Sequence, residues 1–279
     1  MKDRKNIVIE RHDDKSILID LHFQSNNTPK PILIFCHGYK GFKDWGAWNL
    51  MAATFAKMGF FFLKFNFSHN GGTIENPIDF PDLEAFGNNN YTKELQDLEA
   101  VINWVCNNSE LKVEGDINNI SLIGHSRGGG IVTIKAEEDS RIKNIISLAG
   151  VSDYKVRFPK ENDLENWKKT GVYYVQNGRT KQQMPHYFQF YKNFVLNEDR
   201  LTISRAVKQL KTPHLIIHGD ADTSVTIEEA YEQHQWNPNS KLVIIKDANH
   251  VFGVSHPWGK EMLSIHLEEV IKEVITFLK

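Results

Sequence analysis

Residues 120–130 read Ile-Ser-Leu-Ile-Gly-His-Ser-Arg-Gly-Gly-Gly, and this stretch constrains the fold more than any other. The apolar run Ile120–Ile123 reads as a strand and Ile131 to Glu138 as a helix. Between them Gly124-His125-Ser126-Arg127-Gly128 fits G-x-S-x-G. A serine on so sharp a strand-to-helix turn is held in a strained backbone conformation, with its hydroxyl lifted above the edge of a sheet. Glycines on either side let the turn close and the helix pack near the strand. The bare five-residue pattern is weak; the strand before and the helix after supply the context it requires. Ser126 is therefore the candidate nucleophile.

Strand-like and helix-like segments alternate along the chain, which predicts a parallel sheet covered on both faces. Asn6–Glu10 and Ser16–Phe23 read as an opening antiparallel pair turned by His12-Asp13-Asp14-Lys15. Ile32–Cys36 is a continuous apolar run suited to a central strand. Helical spacing follows over Trp45–Met58, ending at Gly59, and again over Tyr91–Asn107. Further strands are expected at Phe60–Phe67, Asn144–Leu148, His214–His218 and Lys241–Lys246. Helices are expected near Thr226–Gln235 and from Gly259 to Phe277, with a loop from Asn70 to Asn90. The stretch Val151–Arg200 breaks the alternation. It carries Trp167, Tyr173, Tyr174, Tyr187, Phe188, Phe190, Tyr191 and Phe194, with a hairpin signal at Asn177-Gly178. Long insertions in compact domains are usually functional, so this one is read as a cap over a binding site.

A chain of 279 residues can bury the core of one large α/β domain, and 41% apolar with 24% charged residues is ordinary for a globular protein. A net charge of −2 gives no reason to expect nucleic acid or an anionic membrane as partner. The charged opening Met1–Asn6 is not followed by the apolar stretch of a signal peptide, and no run has the length of a membrane span, so a cytoplasmic protein is expected. Two cysteines cannot make a disulfide framework; Cys36 reads as a small core residue. Gly128-Gly129-Gly130 lacks the Lys-Ser/Thr of a phosphate-binding loop, and no Cys/His pairs stand at zinc spacing. Neither a cofactor nor a metal is expected.

A serine hydroxyl attacks only when a base takes its proton, and that base needs a third group to fix its tautomer. Two strand-end loops can supply them. Gly219-Asp220-Ala221-Asp222-Thr223-Ser224-Val225 follows one strand, and Asp247-Ala248-Asn249-His250-Val251-Phe252 follows the last. Both fall on the carboxyl edge, where α/β sheets place their chemistry.

With these motifs in order, the chain resembles the α/β-hydrolase superfamily over essentially its whole length apart from the insertion. The resemblance implies a mostly parallel, eight-stranded twisted sheet with helices on both faces, a core over residues 1–150 and 201–279, and a cap insertion over 151–200. It implies that His218-Gly219-x-x-Asp222-x-x-Val225 marks the acid as Asp222 and that His250 is the base. Asp220 then stabilises a turn, Asp153 is a further candidate acid, and His256 lies on the surface or at a helix start. It implies oxyanion donors on the backbone N–H groups of Arg127 and of Tyr39, the latter in His37-Gly38-Tyr39-Lys40-Gly41, where Gly38 permits close approach. Tyr173, Tyr174 and Phe188 are expected to touch substrate.

Within the superfamily, His37 to Trp45 and the compact size look most like small bacterial esterases of the feruloyl/cinnamoyl or dienelactone-hydrolase kind. A small-molecule ester partner, a short or medium acyl or aryl ester, and a monomer or homodimer follow as expectations. A serine peptidase or thioesterase on the same core, or a non-catalytic binding protein, are the alternatives. The His-Gly-Gly-Gly motif of hormone-sensitive-lipase-like esterases is absent.

Overall fold

The structure, a computed structural model, describes residues 2–12 and 14–279; Asp13 of the expected first turn lies outside the described residues. The main sheet has eight strands in the order β1-β2-β4-β3-β5-β6-β9-β10. β1 (Lys2–Ile9) and β2 (Ile17–Phe23) form the antiparallel opening. From β4 (Phe61–Asn66) onward every neighbour is parallel, through β3 (Lys30–Cys36), β5 (Gly115–His125), β6 (Ile142–Leu148), β9 (His214–Gly219) and β10 (Lys241–Ile245). The expected mostly parallel sheet of eight strands is therefore present.

Central strands read as unbroken apolar runs because both faces are covered. Along β3, Ile32, Ile34 and Cys36 face one core and Leu33 and Phe35 face the other, all fully buried. Helices α3 (Tyr91–Asn107) and α4 (Arg127–Glu138) close the first face. Helix α1 (Trp48–Lys57) and the terminal helix close the second. Between α1 and α3 a short helix α2 (Leu83–Gly87), capped by Asp82, interrupts the expected loop.

The segment after β6 forms a separate layer. It comprises helix α5 (Glu161–Thr170), a two-stranded antiparallel sheet of β7 (Val172–Gln176) and β8 (Gln183–Tyr187), and helices α6 (Gln189–Leu196) and α7 (Glu198–Leu201). Asn177-Gly178 does lie in a hairpin, but the loop has six residues. Asn177 Oδ1 accepts the backbone N–H groups of Arg179 and Thr180, so the asparagine organises the turn through its side chain. The chain returns through α8 (Ile203–Gln209) and α9 (Ile227–Trp236) and ends in α10 (Ile265–Leu278). Among the described residues no helix is long and apolar enough to cross a membrane.

One buried feature bears on the loop after β3. Asp20 and Lys64 are paired across β2 and β4, and their side chains meet at 2.6 Å. Lys43 from the loop also binds Asp20, at 2.9 Å, and Asp44 binds both lysines at 2.6 Å. Asp20, Lys43 and Lys64 are almost completely buried. Removing one partner from such a set leaves buried charge uncompensated, at a cost of about 3–5 kcal/mol.

Candidate active site

The turn between β5 and α4 has the strain its sequence requires. Ser126 sits at φ 56° and ψ −119°, a conformation that costs a non-glycine residue roughly 1–3 kcal/mol. Neighbours over-determine it: Ser126 N–H donates to the Leu148 carbonyl at 2.9 Å, and Val151 N–H donates to the Ser126 carbonyl at 3.2 Å. A Cβ on Gly124 would lie 2.2 Å from the Gly128 carbonyl oxygen, so the turn closes only with glycine there.

Asp222 and His250 stand on neighbouring strand-end loops. His250 Nδ1–H donates to Asp222 Oδ2 at 2.7 Å, which leaves Nε2 with its lone pair free to accept a proton. The other carboxyl oxygen accepts the backbone N–H groups of Ser224 at 2.8 Å and Val225 at 3.0 Å. Burial pushes the Asp222 carboxyl up, but hydrogen bonds from His218, His250 and Val225 N–H outweigh it and hold it well below the usual carboxylate range. Ser126 and His250 line one cavity and, among the described residues, form no direct hydrogen bond; such bonds commonly tighten only with substrate in place.

The other acidic candidates are occupied elsewhere. Asp220 accepts Asp247 N–H at 2.6 Å, tying the two strand-end loops together, and Asp153 accepts Lys155 N–H in a local turn. His256 departs from expectation: its ring stacks on Trp45, and Nδ1 accepts Gly46 N–H at 2.9 Å, so it staples the loop after β3. His125, the variable position of the motif, also has a task. Its buried Nε2–H donates to the His250 carbonyl at 2.8 Å, while burial and the nearby His250 bring the imidazole down to about 3. The sequence carried no signal for that contact beyond the histidine itself.

Tyr39 follows Gly38, which packs against Ser126, and Arg127 follows Ser126 in the chain. Arg127 is the first residue of α4, where a backbone N–H has no intrahelical acceptor. Gly38 is required by contact, since a Cβ there would lie 2.9 Å from Ser126 Cβ. The Arg127 side chain is not on the surface. Its guanidinium lies 4.4 Å from the Tyr39 ring centroid and its Nη1 donates to Glu94 Oε1 at 3.2 Å. Burial works against its charge, but Glu94 together with the phenols of Tyr91, Tyr39 and Tyr154 outweighs it and keeps the group charged. Glu94, buried on α3, was not among the residues the sequence pointed to.

The cavity above Ser126 has a volume of about 670 Å³, and the segment after β6 supplies just over half of its lining. Tyr173 and Val175 face it as alternate residues of β7, alongside Tyr154, Trp167, His186 and Phe190. The same alternation turns Tyr174 away from the cavity, contrary to the expected placement, and it is 55% exposed. Phe188, too, does not line the cavity. It packs edge-on against Trp167 at 5.6 Å and against Tyr191, so it supports the wall from behind.

With this geometry in view, the likenesses to known proteins fall into place. Est1E from Butyrivibrio proteoclasticus, solved with ferulic acid bound, superposes with a TM-score of 0.73 over 98% of this chain and 97% of that one, at 22% identity. The fold is thus that of the α/β hydrolases. Two bacterial proteins match parts of the sequence. An uncharacterized 31.7 kDa protein of the traX-finO intergenic region in Escherichia coli is 28% identical over 139 residues, half of this chain and 44% of its own length. The uncharacterized peptidase YtmA of Bacillus subtilis (strain 168) is 27% identical over 115 residues, 41% of this chain and 39% of its own. These matches span less than half the length of either relative. The family described as BD-FAE matches residues 19–236, from β2 through α9, taking in the Ser126 turn and Asp222 and stopping short of His250. With a match over more than three quarters of its length, the chain belongs to the BD-FAE family.

Proposed function

We propose that the chain is a serine hydrolase that cleaves carboxylic esters through an acyl-enzyme on Ser126. The observation that carries this reading is the bonded Asp222–His250 pair, whose imidazole lines the same cavity as the strained Ser126. His250 Nε2 takes the hydroxyl proton as Ser126 Oγ attacks the ester carbonyl. Asp222 holds the imidazole and stabilises the imidazolium that forms. The carbonyl oxygen, now negative, accepts the backbone N–H groups of Tyr39 and Arg127. His250 then protonates the departing alcohol, and a water repeats the attack to release the acid and restore Ser126.

The cavity walls support an aryl or medium acyl group. Tyr154, Trp167, Tyr173 and Phe190 offer flat apolar area, and the Tyr173 phenol adds a hydrogen-bonding tip. The ferulic acid bound by Est1E is such an aryl acid, which favours a cinnamoyl-type ester here. The residues 151–200 act as the cap that sets this preference. A peptidase is the second reading, favoured by the match to a protein named as one.

Hydrolysis of p-nitrophenyl acetate, p-nitrophenyl octanoate, methyl ferulate and an aminoacyl p-nitroanilide, by wild type and Ser126→Ala, separates these readings. Ester turnover that vanishes in Ser126→Ala is the expected result. Turnover of the anilide alone makes the chain a peptidase, and ester turnover that survives in Ser126→Ala removes the proposed nucleophile.

A further inference from the structure

The two N–H groups assigned to the oxyanion stand on different elements, Tyr39 on the loop after β3 and Arg127 at the first turn of α4. One such donor is worth on the order of 10²–10³ in turnover, and only when aimed at the developing charge. What fixes the two against each other therefore matters to the rate.

Both are gripped from the segment after β6. The Tyr39 hydroxyl lies 2.7 Å from Nε2 of His186 on β8. The Tyr154 hydroxyl donates to the Arg127 carbonyl at 2.9 Å. Between these two grips the Arg127 guanidinium covers the Tyr39 ring. His186 is itself held, because the Trp167 indole N–H donates to its carbonyl at 2.7 Å. Tyr154 is stacked on Tyr91 of α3, ring centroids 3.8 Å apart. Burial, with the charges of Arg127 and Lys40 nearby, brings His186 down to about 3, and burial pushes the Tyr39 phenol up to about 12. Neither group ionises near neutral pH, so their contact is a hydrogen bond between neutral partners.

We infer that His186 and Tyr154 are positioning residues, which lock the two halves of the oxyanion hole together from within the segment that also walls the cavity. The inference rests on the ester-hydrolase reading above. It assigns the segment a share in the rate as well as in substrate choice, even for an acyl group too small to use the aromatic walls.

The test is p-nitrophenyl acetate turnover by His186→Phe and Tyr154→Phe, with rates normalised by burst titration so that any misfolded fraction drops out. Each variant should lose about tenfold in kcat and in kcat/KM together, with KM within about twofold, the signature of an interaction made in the transition state. Tyr39→Phe removes the same bond as His186→Phe from its other end, so the double variant should cost no more than either single one. His186→Gln, which keeps a hydrogen-bonding group toward Tyr39, should recover part of the loss. Unchanged kcat, a rise in KM alone, or additive losses in the double variant would overturn the inference. The two failures are distinct. Wild type inactive on the ester, or Ser126→Ala still active, removes the hydrolase reading and this inference with it. An inactive Ser126→Ala beside undiminished His186→Phe and Tyr154→Phe removes this inference alone.

Discussion

The floor and the far wall of the cavity are built on different principles. The floor consists of loops at the ends of β3, β5, β9 and β10, held by hydrogen bonds in which backbone groups take part. Ser126 is bonded to the ends of β6, Asp222 is bonded to its own turn, and Asp220 ties its loop to that of His250. The far wall belongs to a two-stranded sheet that shares no ladder with the main one and packs mainly through rings. Acyl transfer needs donors and acceptors fixed to a fraction of an ångström, and a hydrogen-bonded sheet edge supplies that rigidity. Recognition of an apolar group needs area and shape, which stacked rings supply without a continuous ladder. His186 and Tyr154 are where the second construction reaches into the first.

Substitutions can break this division or sharpen it. Ser126→Ala should lower kcat on the order of 10⁶-fold while circular dichroism stays unchanged; retention of a tenth of the activity would place the nucleophile elsewhere. Asp222→Asn should cost roughly 10⁴-fold, because an amide favours the wrong imidazole tautomer. Asp220→Asn and Asp153→Asn should each cost less than about tenfold, since an amide oxygen can still accept the single backbone N–H that each one holds. Steady-state kinetics of the three variants checks the assignment, and a larger loss at Asp220 or Asp153 would move the acid.

On the far wall, away from His186 and Tyr154, the effects should be smaller and fall on KM. Tyr173→Ala should raise KM for methyl ferulate up to about tenfold, the loss of a contact worth ~1.4 kcal/mol. Tyr174→Ala, on the opposite face of β7, should leave it within about twofold. Equal effects would mean that the alternation along β7 does not select the substrate contacts. The smallest expected effect is on pH dependence. With His186 held at about 3, the ratio of kcat/KM between wild type and His186→Phe should stay constant from about pH 5 to about pH 8. A ratio that changes across that range would mean that His186 titrates there.

The floor was the legible part, for a physical reason. Turn residues and strand periodicity are local properties, so G-x-S-x-G and the two loops at the strand ends could be read directly, the choice of Asp222 and of the Tyr39 loop came with the superfamily resemblance, and Tyr91–Asn107 has the boundaries its spacing implies. The far wall depends on which face of a short element packs inward, and composition does not carry that. Tyr173 and Tyr174 are chemically alike, and only the register of β7 against β8 separates them. Glu94, His125 and His186 were missed because each acts on a partner distant in sequence. The terminal helix begins at Ile265, not near Gly259, because Ser264 caps it; its hydroxyl accepts Leu267 N–H at 3.1 Å. The short helix at Leu83 did carry a signal, Asp82 in capping position, that a stretch rich in Asn, Gly and Pro obscured.

The ion quartet behind the loop of Tyr39 has a consequence for how such a chain can change. Asp20 and Lys64 lie on neighbouring strands, while Lys43 and Asp44 come from the loop. Removing the charge of Asp20, Lys43 or Lys64 is costly, because it leaves the remaining buried charges uncompensated. An apolar set of matching volume could replace all four at little cost, yet every one-step path toward it passes through a destabilised intermediate. The quartet therefore acts as an inherited unit, to be kept or exchanged whole.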